Sequence, residues 1–316
     1  MEKNGGVCVL GAFMMDFVAD APRRPNRGET LVGTRFAMVP GGKGLNQAVA
    51  AARAGADTSM LGRLGDDDFA RTFRSLMAAE GIDQSHVLTD PTIGTGVGMP
   101  LVEPDGQNSI VIIPRSNRAI APSDICAAAA LIGEACVLLL QLELPVDTAL
   151  EAARAARSAG TRVILNPAPY HSIPPDLIEM VDVIVPNENE FEAWREAPTS
   201  DLESLLHRAS ESAENTFTDI IVTVGARGVV VAPQGGEPIH LPPHTVTAID
   251  TVGAGDVFCG NVAASLARGD GLTEAAQVGN AAAALAITRR GGATTAPTLA
   301  ETRQLIHAGV PQYAAG

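Results

Sequence analysis

The run Ala135-Cys136-Val137-Leu138-Leu139-Leu140-Gln141 constrains the fold more than any other stretch of the chain. It shows no alternation of polar and apolar residues. As a strand it must therefore be covered on both faces, and a parallel sheet with helices on either side does that. Residues 7–10, 58–64, 162–166, 182–185 and 220–224 read as further strands, and residues 229–232 start another. Helical patterns fall between or after them, at 67–79 with Phe69, Phe73, Leu76 and Met77 inward, from Pro122 to about Ile132, at 146–158 and near 175–180. A long alanine-rich helix is predicted at 275–290, stopped by Gly291-Gly292, and a closing helix at 299–308. Alternation of this kind means an α/β domain. One segment departs from it. Residues 95–102 and 108–113, separated by Glu103-Pro104-Asp105-Gly106-Gln107, read as a hairpin, and residues 35–39 as an exposed strand able to join it. No repeat or low-complexity linker interrupts the chain, so the expectation is one domain, 1–316, with a small β appendage inserted from about 12–40 and 93–118.

Composition narrows the partners. A net charge of -14 and a pI near 4.8 argue against nucleic acid or an anionic membrane, yet leave room for phosphates held by local amides. No apolar run is long enough to span a bilayer, and Met1-Glu2-Lys3-Asn4-Gly5-Gly6 does not open a signal peptide, so a cytoplasmic location is expected. Cys8, Cys126, Cys136 and Cys259 are widely spaced in apolar neighbourhoods, which predicts buried free thiols. His240 and His244 are separated by Pro242-Pro243, which forbids the helix that would align them. A structural transition metal is not expected.

Two glycine turns carry the chemistry. Asp250-Thr251-Val252-Gly253-Ala254-Gly255-Asp256-Val257-Phe258 leads into an apolar helix on which Val257, Phe258, Val262, Ala263 and Leu266 recur. Free amides at a helix start, added to the positive end of its dipole, favour an anion there. Asp256 beside such a site is either a base for phosphoryl transfer or simply a favourable first-turn acid. The second turn, Pro40-Gly41-Gly42-Lys43-Gly44-Leu45-Asn46-Gln47, feeds a helix that stops near Gly55. Neither a Walker P-loop nor a G-x-G-x-x-G dinucleotide fingerprint is present. Asp16 lies in the apolar context Phe13-Met14-Met15-Asp16-Phe17-Val18, where it needs either a salt bridge or ligand hydroxyls. Glu143 follows the carboxyl end of the 135–141 strand, the edge at which open α/β sheets bind ligands. Asn187-Glu188-Asn189-Glu190 is a helix cap or the surroundings of a hydrated Mg²⁺. Arg227, within Gly225-Ala226-Arg227-Gly228, holds a phosphate or lies in solvent.

Taken together, Pro40-Gly41-Gly42-Lys43-Gly44-Leu45-Asn46-Gln47-Ala48, Asn187-x-x-Glu190 and Asp250-Thr251-Val252-Gly253-Ala254-Gly255-Asp256 resemble the three motifs of the ribokinase family of carbohydrate kinases, also called the PfkB family, and are most similar to its ribokinase branch. The resemblance implies a three-layer fold: a mostly parallel central sheet, helices on both faces and a small β lid over a sugar. It implies ATP, Mg²⁺ and an activating K⁺; separately, exposed strands of the appendage can pair across subunits, so a homodimer through the lid is expected. By position, Asp256 looks like the base that deprotonates a sugar hydroxymethyl group, with Gly253, Ala254 and Gly255 as the anion hole. Asp16, Gly42, Lys43, Asn46 and Glu143 match residues around the sugar. Asn187, Glu190, Thr223, Gly225, Arg227, Gly228 and Gly255 match the nucleotide side, and Asn280 falls near the adenine. Asp250, Val252, Ala286, Arg289, Gly291 and Thr295 match the family's monovalent cation site. One position departs: the ribokinase pattern has an asparagine where this chain has Met14. An apolar thioether in place of an amide points to a deoxy sugar or a ligand apolar at that point. The function implied is an ATP-dependent pentose kinase; the rivals are a nucleoside or fructose-type kinase and a non-catalytic sugar-binding regulator.

Overall fold

The computed structural model describes residues 6–104 and 107–309. The chain opens with β1 (Gly6–Leu10), passes through Gly11, Ala12 and Phe13 into β2 (Met14–Asp20), and returns as β3 (Arg35–Gly41). There follow α1 (Lys43–Arg53), β4 (Asp57–Gly65), α2 (Asp68–Ala79), β5 (Val87–Asp90) and the hairpin β6 (Gly96–Val102) and β7 (Asn108–Ile113). Asp105 and Gly106 of the predicted hairpin turn lie outside the described residues. The middle of the chain holds α3 (Pro122–Ala127), α4 (Ala129–Glu134), β8 (Val137–Leu140), α5 (Val146–Ala159), β9 (Arg162–Leu165), α6 (Pro175–Ile178), β10 (Val183–Ile184) and α7 (Glu188–Arg195). The last third holds α8 (Leu202–Thr216), β11 (Asp219–Thr223), β12 (Val229–Ala232), β13 (Ile239–Leu241), α9 (Ala254–Ala267), α10 (Leu272–Ala286) and α11 (Leu299–Gly309).

Among the described residues, nine strands form one sheet in the order β13-β12-β11-β10-β9-β8-β1-β4-β5. From β5 to β11 every pairing is parallel, and β12 and β13 add an antiparallel edge. The apolar run at β8 explains the layering. Val137 and Leu139 pack into the core on one face of the sheet, Leu138 and Leu140 into the core on the other. Helices α1, α2, α9 and α10 cover the first face; α3 to α8 cover the second. Chain order reverses at β1, which has β4 on one side and β8 on the other, so the crevice beyond its carboxyl end is where such a sheet can take a ligand.

Glycines bring the helices close to that crevice. A Cβ on Gly44 would lie 2.5 Å from the Cα of Gly11, so α1 begins pressed against the end of β1. One on Gly260 would lie 2.4 Å from the Gln47 carbonyl oxygen, so α9 packs directly on the backbone of α1. Helix α9 is apolar on all sides, and every residue from Asp256 to Ala267 is buried, as a helix wedged between other layers requires.

A second sheet, β3-β2-β6-β7, projects from the first. It is fixed to the body by Phe17, which meets Phe69 of α2 edge to face at 5.5 Å between ring centroids. Both of its faces carry open apolar side chains: Phe36, Met38, Met99, Ile110, Val111, Ile112 and Ile113 are all exposed.

Several local expectations need correction. Helix α10 ends at Ala286 rather than at Arg290, because the Ile287 carbonyl accepts the amides of Ile249 (2.7 Å) and Asp250 (3.1 Å) instead of continuing the helical ladder. The helix expected from Pro122 to about Ile132 is two helices that break at Ala128. Cys126 is exposed, because Ile125 takes the inward position on α3, and Cys136 is only half-buried; Cys8 and Cys259 are buried thiols. Helix α8 and the edge strands β5 and β13 were not foreseen.

Candidate active site

At the start of α9, Gly253 adopts the left-handed conformation (φ 79°), which an L side chain would strain. Val257 N–H makes the first helical bond, to the Gly253 carbonyl (2.9 Å), so the amides of Gly255 and Asp256 lie ahead of the ladder and point out of the helix end. A Cβ at Gly253 or Gly255 would meet nothing within 4 Å, so there is open space in front of them. Asp256 is 6 % exposed. Its Oδ2 accepts from Asn46 Nδ2 (2.9 Å) and its Oδ1 from Gln47 Nε2 (3.0 Å). Among the described residues it forms no ion pair, and it faces a cleft of about 190 Å³ that Lys43, Glu190, Gly253 and Gly255 also line.

Lys43 opens α1, so the glycine turn that starts the helix also aims its ammonium at the cleft. The negative charge of Asp256 above all, with Glu143 and Glu190, holds that ammonium protonated beyond its usual range in spite of burial. Glu143 sits past the end of β8, where its Oε2 accepts the Lys43 backbone N–H (2.8 Å). Burial pushes its carboxyl up to about 7, against the pull of Lys43. The Asn46 Oδ1 is buried without a partner among the described residues, which leaves an acceptor suited to a hydroxyl.

No residue of the projecting sheet lines that cleft, but the sheet brings Asp16 close enough for its charge to act on Glu143. Asp16 on β2 forms no ion pair among the described residues, so of the two expectations for it the salt bridge is absent. Burial pushes its carboxyl up to about 6. It lies between two glycines: a Cβ on Gly98 would come 2.0 Å from its Oδ1, and one on Gly41 2.5 Å from its Oδ2. Met14 shares that strand face two residues earlier, opposite Gly41 and Gly96, and its sulfur is 3.8 Å from Asn117 Nδ2. Gly42 has φ 95° and no room for a Cβ, which would come 2.5 Å from the Ala12 carbonyl oxygen.

On the other side of Asp256, Asn187 and Glu190 cap α7 reciprocally. Asn187 Oδ1 accepts the Glu190 N–H (2.8 Å), and Glu190 Oε2 accepts the Asn187 N–H (2.9 Å). Both nevertheless line the cleft with Thr223, so the capping role and a ligand role coexist. The second oxygen of Glu190 has no hydrogen bond among the described residues, and burial raises its carboxyl. Gly225 and Gly228 shape the turn after β11 with φ of 56° and 94°. Arg227 is in an ion pair with Glu188, and Asn280 Nδ2 donates to the Pro242 carbonyl (2.8 Å). Of the six residues expected around a cation, Asp250 Oδ1 accepts the Val252 N–H (3.0 Å), the Ala286 carbonyl accepts the Arg289 N–H (3.0 Å), and the Arg289 guanidinium engages Glu301 and the Thr295 carbonyl. Gly291 there has φ 134°.

Residues 4–299 match the pfkB family carbohydrate kinase profile. The chain belongs to the pfkB family of carbohydrate kinases. It is 35% identical to the ribokinase of Haemophilus influenzae over 298 residues, covering 94% of this chain and 97% of the relative. It is 32% identical over 302 residues to the deoxyribokinase of Salmonella typhi, covering 95% and 98%. The structure of Arabidopsis thaliana ribokinase complexed with ribose and ATP superposes with a TM-score of 0.87 at 27% identity, covering 95% of this chain and 98% of that one. The three-layer fold with its mostly parallel sheet is thus that of ribokinase structures.

Sequence reasoning missed part of this pfkB-family cleft. Asn166, Ala168, Val185 and Cys259 line it, and Gln47 touches Asp256. Asn166 was findable, since it immediately follows β9 at the carboxyl edge of the sheet. Gln47 belongs to the quoted glycine-turn motif, but nothing in the sequence gave it a role beside Asp256.

Proposed function

We propose that the chain is an ATP-dependent pentose kinase that moves the γ-phosphoryl group to the sugar's hydroxymethyl oxygen. The observation that carries this is Asp256: a carboxylate at a helix N-terminus, gripped by two neutral amides and in no ion pair among the described residues, facing a cleft that Lys43 also lines. In the reaction Asp256 takes the hydroxyl proton, the freed oxygen bonds to the γ-phosphorus, and the bond to the β–γ bridging oxygen breaks, releasing ADP. The amides from Gly253 to Gly255 steady the charge on the transferred group, and Lys43 adds a nearby cation. Asn187 and Glu190 suit Mg²⁺ held through water, because Glu190 retains an unengaged carboxylate oxygen at the cleft wall. Bound there, Mg²⁺ would offset phosphate charge. Thr223, Gly225 and Gly228 would border the nucleotide, with Asn280 toward the adenine. Arg227 would have to leave Glu188 to reach a phosphate.

The sugar would lie between the two sheets, its hydroxyls on Asp16, Asn46, Glu143 and the Gly42 backbone. Met14 beside Asp16 offers no hydrogen bond of amide strength, and the likeness to a deoxyribokinase agrees with a pentose lacking one hydroxyl. The test is ADP release over a panel of pentoses, deoxypentoses, hexoses and nucleosides. Turnover is expected to be fastest with 2-deoxyribose or ribose; faster turnover of nucleosides or hexoses would replace the pentose reading, and no release with any of them would favour a sugar-binding regulator. In the same panel Met14→Asn should raise the ribose to deoxyribose ratio of kcat/KM by about tenfold or more. An unmoved ratio would clear Met14 of any part in sugar choice.

Three finer points belong to this proposal. K⁺ would bind among Asp250, Val252, Ala286, Arg289, Gly291 and Thr295 and order the turn before Asp256, so activity in K⁺ should exceed that in a large organic cation; equal rates discard the idea. A homodimer through the projecting sheet is supported by the exposed apolar side chains there, and sedimentation as a monomer would remove it. A cytoplasmic location is supported by four free cysteines, and among the described residues no helix is long and apolar enough to cross a membrane; fractionation tests it.

A further inference from the structure

Gln47 is fully buried on α1 and reaches neither wall of the cleft, yet its carboxamide touches the proposed base. We propose that Gln47 is a positioning residue for Asp256, locked in one orientation by a one-way chain of buried amides that starts at a main-chain carbonyl. This rests on the kinase reading above.

The direction of every amide in the chain follows from its anchor. The Val185 carbonyl can only accept, so Asn166 must turn its Nδ2 toward it (2.8 Å). Asn166 Oδ1 then faces Gln47 and accepts from its Nε2 (3.1 Å). The second N–H of that nitrogen is left for Asp256 Oδ1. Gln47 Oε1 points the opposite way and accepts from Gln141 Nε2 (2.6 Å). A flip of the Gln47 amide would set its oxygen against both Asn166 Oδ1 and the Asp256 carboxylate, two acceptor–acceptor contacts around a fully buried side chain, so the flip is strongly disfavoured.

With Oδ1 held by Gln47 and Oδ2 by Asn46, the plane of the carboxylate is fixed, and its unoccupied lone pairs are the ones that face the cleft. The chain also ties together the carboxyl ends of β8, β9 and β10 and the helices α1 and α9, while Gly260 allows those helices the contact that puts Gln47 within reach. Buried amides that only satisfy one another would stabilise the fold equally well. What distinguishes positioning is that a misplacement near 1 Å at a reacting group costs about a hundredfold in rate without weakening substrate binding.

The experiment is steady-state kinetics and thermal unfolding of the wild type, Gln47→Met, Gln141→Leu and the double variant. Gln47→Met keeps the volume and removes the donor. It should lower kcat roughly 10–100-fold and leave both KM values within about twofold. Gln141→Leu, one bond further back, should lower kcat about 3–10-fold, and the double variant should be no slower than Gln47→Met alone, because both act through one path. Folded Gln47→Met with unchanged kcat overturns the assignment, as do KM values that rise with the fall in kcat, or effects of the two changes that simply multiply. Should Gln47→Met not fold, Gln141→Leu decides, and normal kcat in it overturns the assignment. A wild type inactive on every sugar sinks the kinase reading and this one with it; an active wild type matched by Gln47→Met sinks only the role of Gln47.

Discussion

In Asp256→Asn protein the kcat for the pentose is expected to fall by roughly 10²–10⁴-fold, the range for loss of a general base, while the fold and the KM for ATP persist. The physical basis is narrow. An amide matches the carboxylate in shape and still offers one oxygen, but it cannot take a hydroxyl proton. Its NH₂ group must also confront either Asn46 Nδ2 or Gln47 Nε2, both of which now donate to Asp256. One buried donor then lacks an acceptor, at a cost of about 1–3 kcal/mol, so a modest fall in melting temperature should accompany the large fall in rate. Single-turnover assays separate the two effects. Turnover near normal in the folded variant would remove Asp256 from the role of base.

Asp16→Asn should produce the second large effect, and with opposite signs for stability and function. Burial raises the Asp16 carboxyl from 3.8 to about 6. The folded state therefore holds this proton more tightly than the unfolded chain does. The stability linked to it is fully present below pH 3.8 and is lost as pH rises through about 6. Above that, the ionised carboxylate costs the fold up to about 3 kcal/mol, at 1.36 kcal/mol per pKa unit. Asparagine removes that cost, so the ligand-free variant should melt several degrees higher at pH 8 and no higher near pH 4. Sugar recognition should suffer instead, with kcat/KM for the pentose down roughly 10²–10³-fold through loss of charge-assisted bonds to hydroxyls. For the same reason the wild-type KM for sugar should improve as pH rises through 6 to 7, since Glu143, raised to about 7, ionises in the same direction. A variant no more stable at pH 8 than the wild type, with unaltered sugar KM, would contradict both halves.

The glycine turns and the buried strand β8 were legible because each breaks a rule that ordinary surface sequence obeys. An unalternating apolar run has to be covered twice, and a carboxylate beside free helix amides needs a reason to be there. The contact of Gln47 with Asp256 was not legible, although Gln47 stands in the glycine-turn motif. On α1 it lies off the stripe formed by Leu45, Ala48, Val49 and Ala52, which in a surface helix would place it in water. Only the close approach of α9 at Gly260 buries that side, and a contact between residues more than two hundred positions apart leaves no local trace. Helix α8 was overlooked for a different reason: its Ser, Glu and Asn residues obscure the repeat of Leu202, Leu205, Ala209 and Ala213, the last three of which are buried. Strands β5 and β13 are short edges, four and three residues long, whose pairing is set by neighbours rather than by their own pattern. The paired roles of Asn187 and Glu190 show that a helix cap and a wall of the cleft are compatible uses of the same atoms.

The proposed sugar-binding and phosphoryl-transfer residues sit on different layers of the fold, with a consequence for how such a chain can diversify. Met14 and Asp16 ride on β2 in the projecting sheet, whereas Asp256 and the amides before it belong to α9 in the body. If the proposed roles hold, exchanges along β2 would retarget the protein to another sugar without disturbing the proposed base. On that proposal, appetite and reactivity are inherited on separate pieces of the fold.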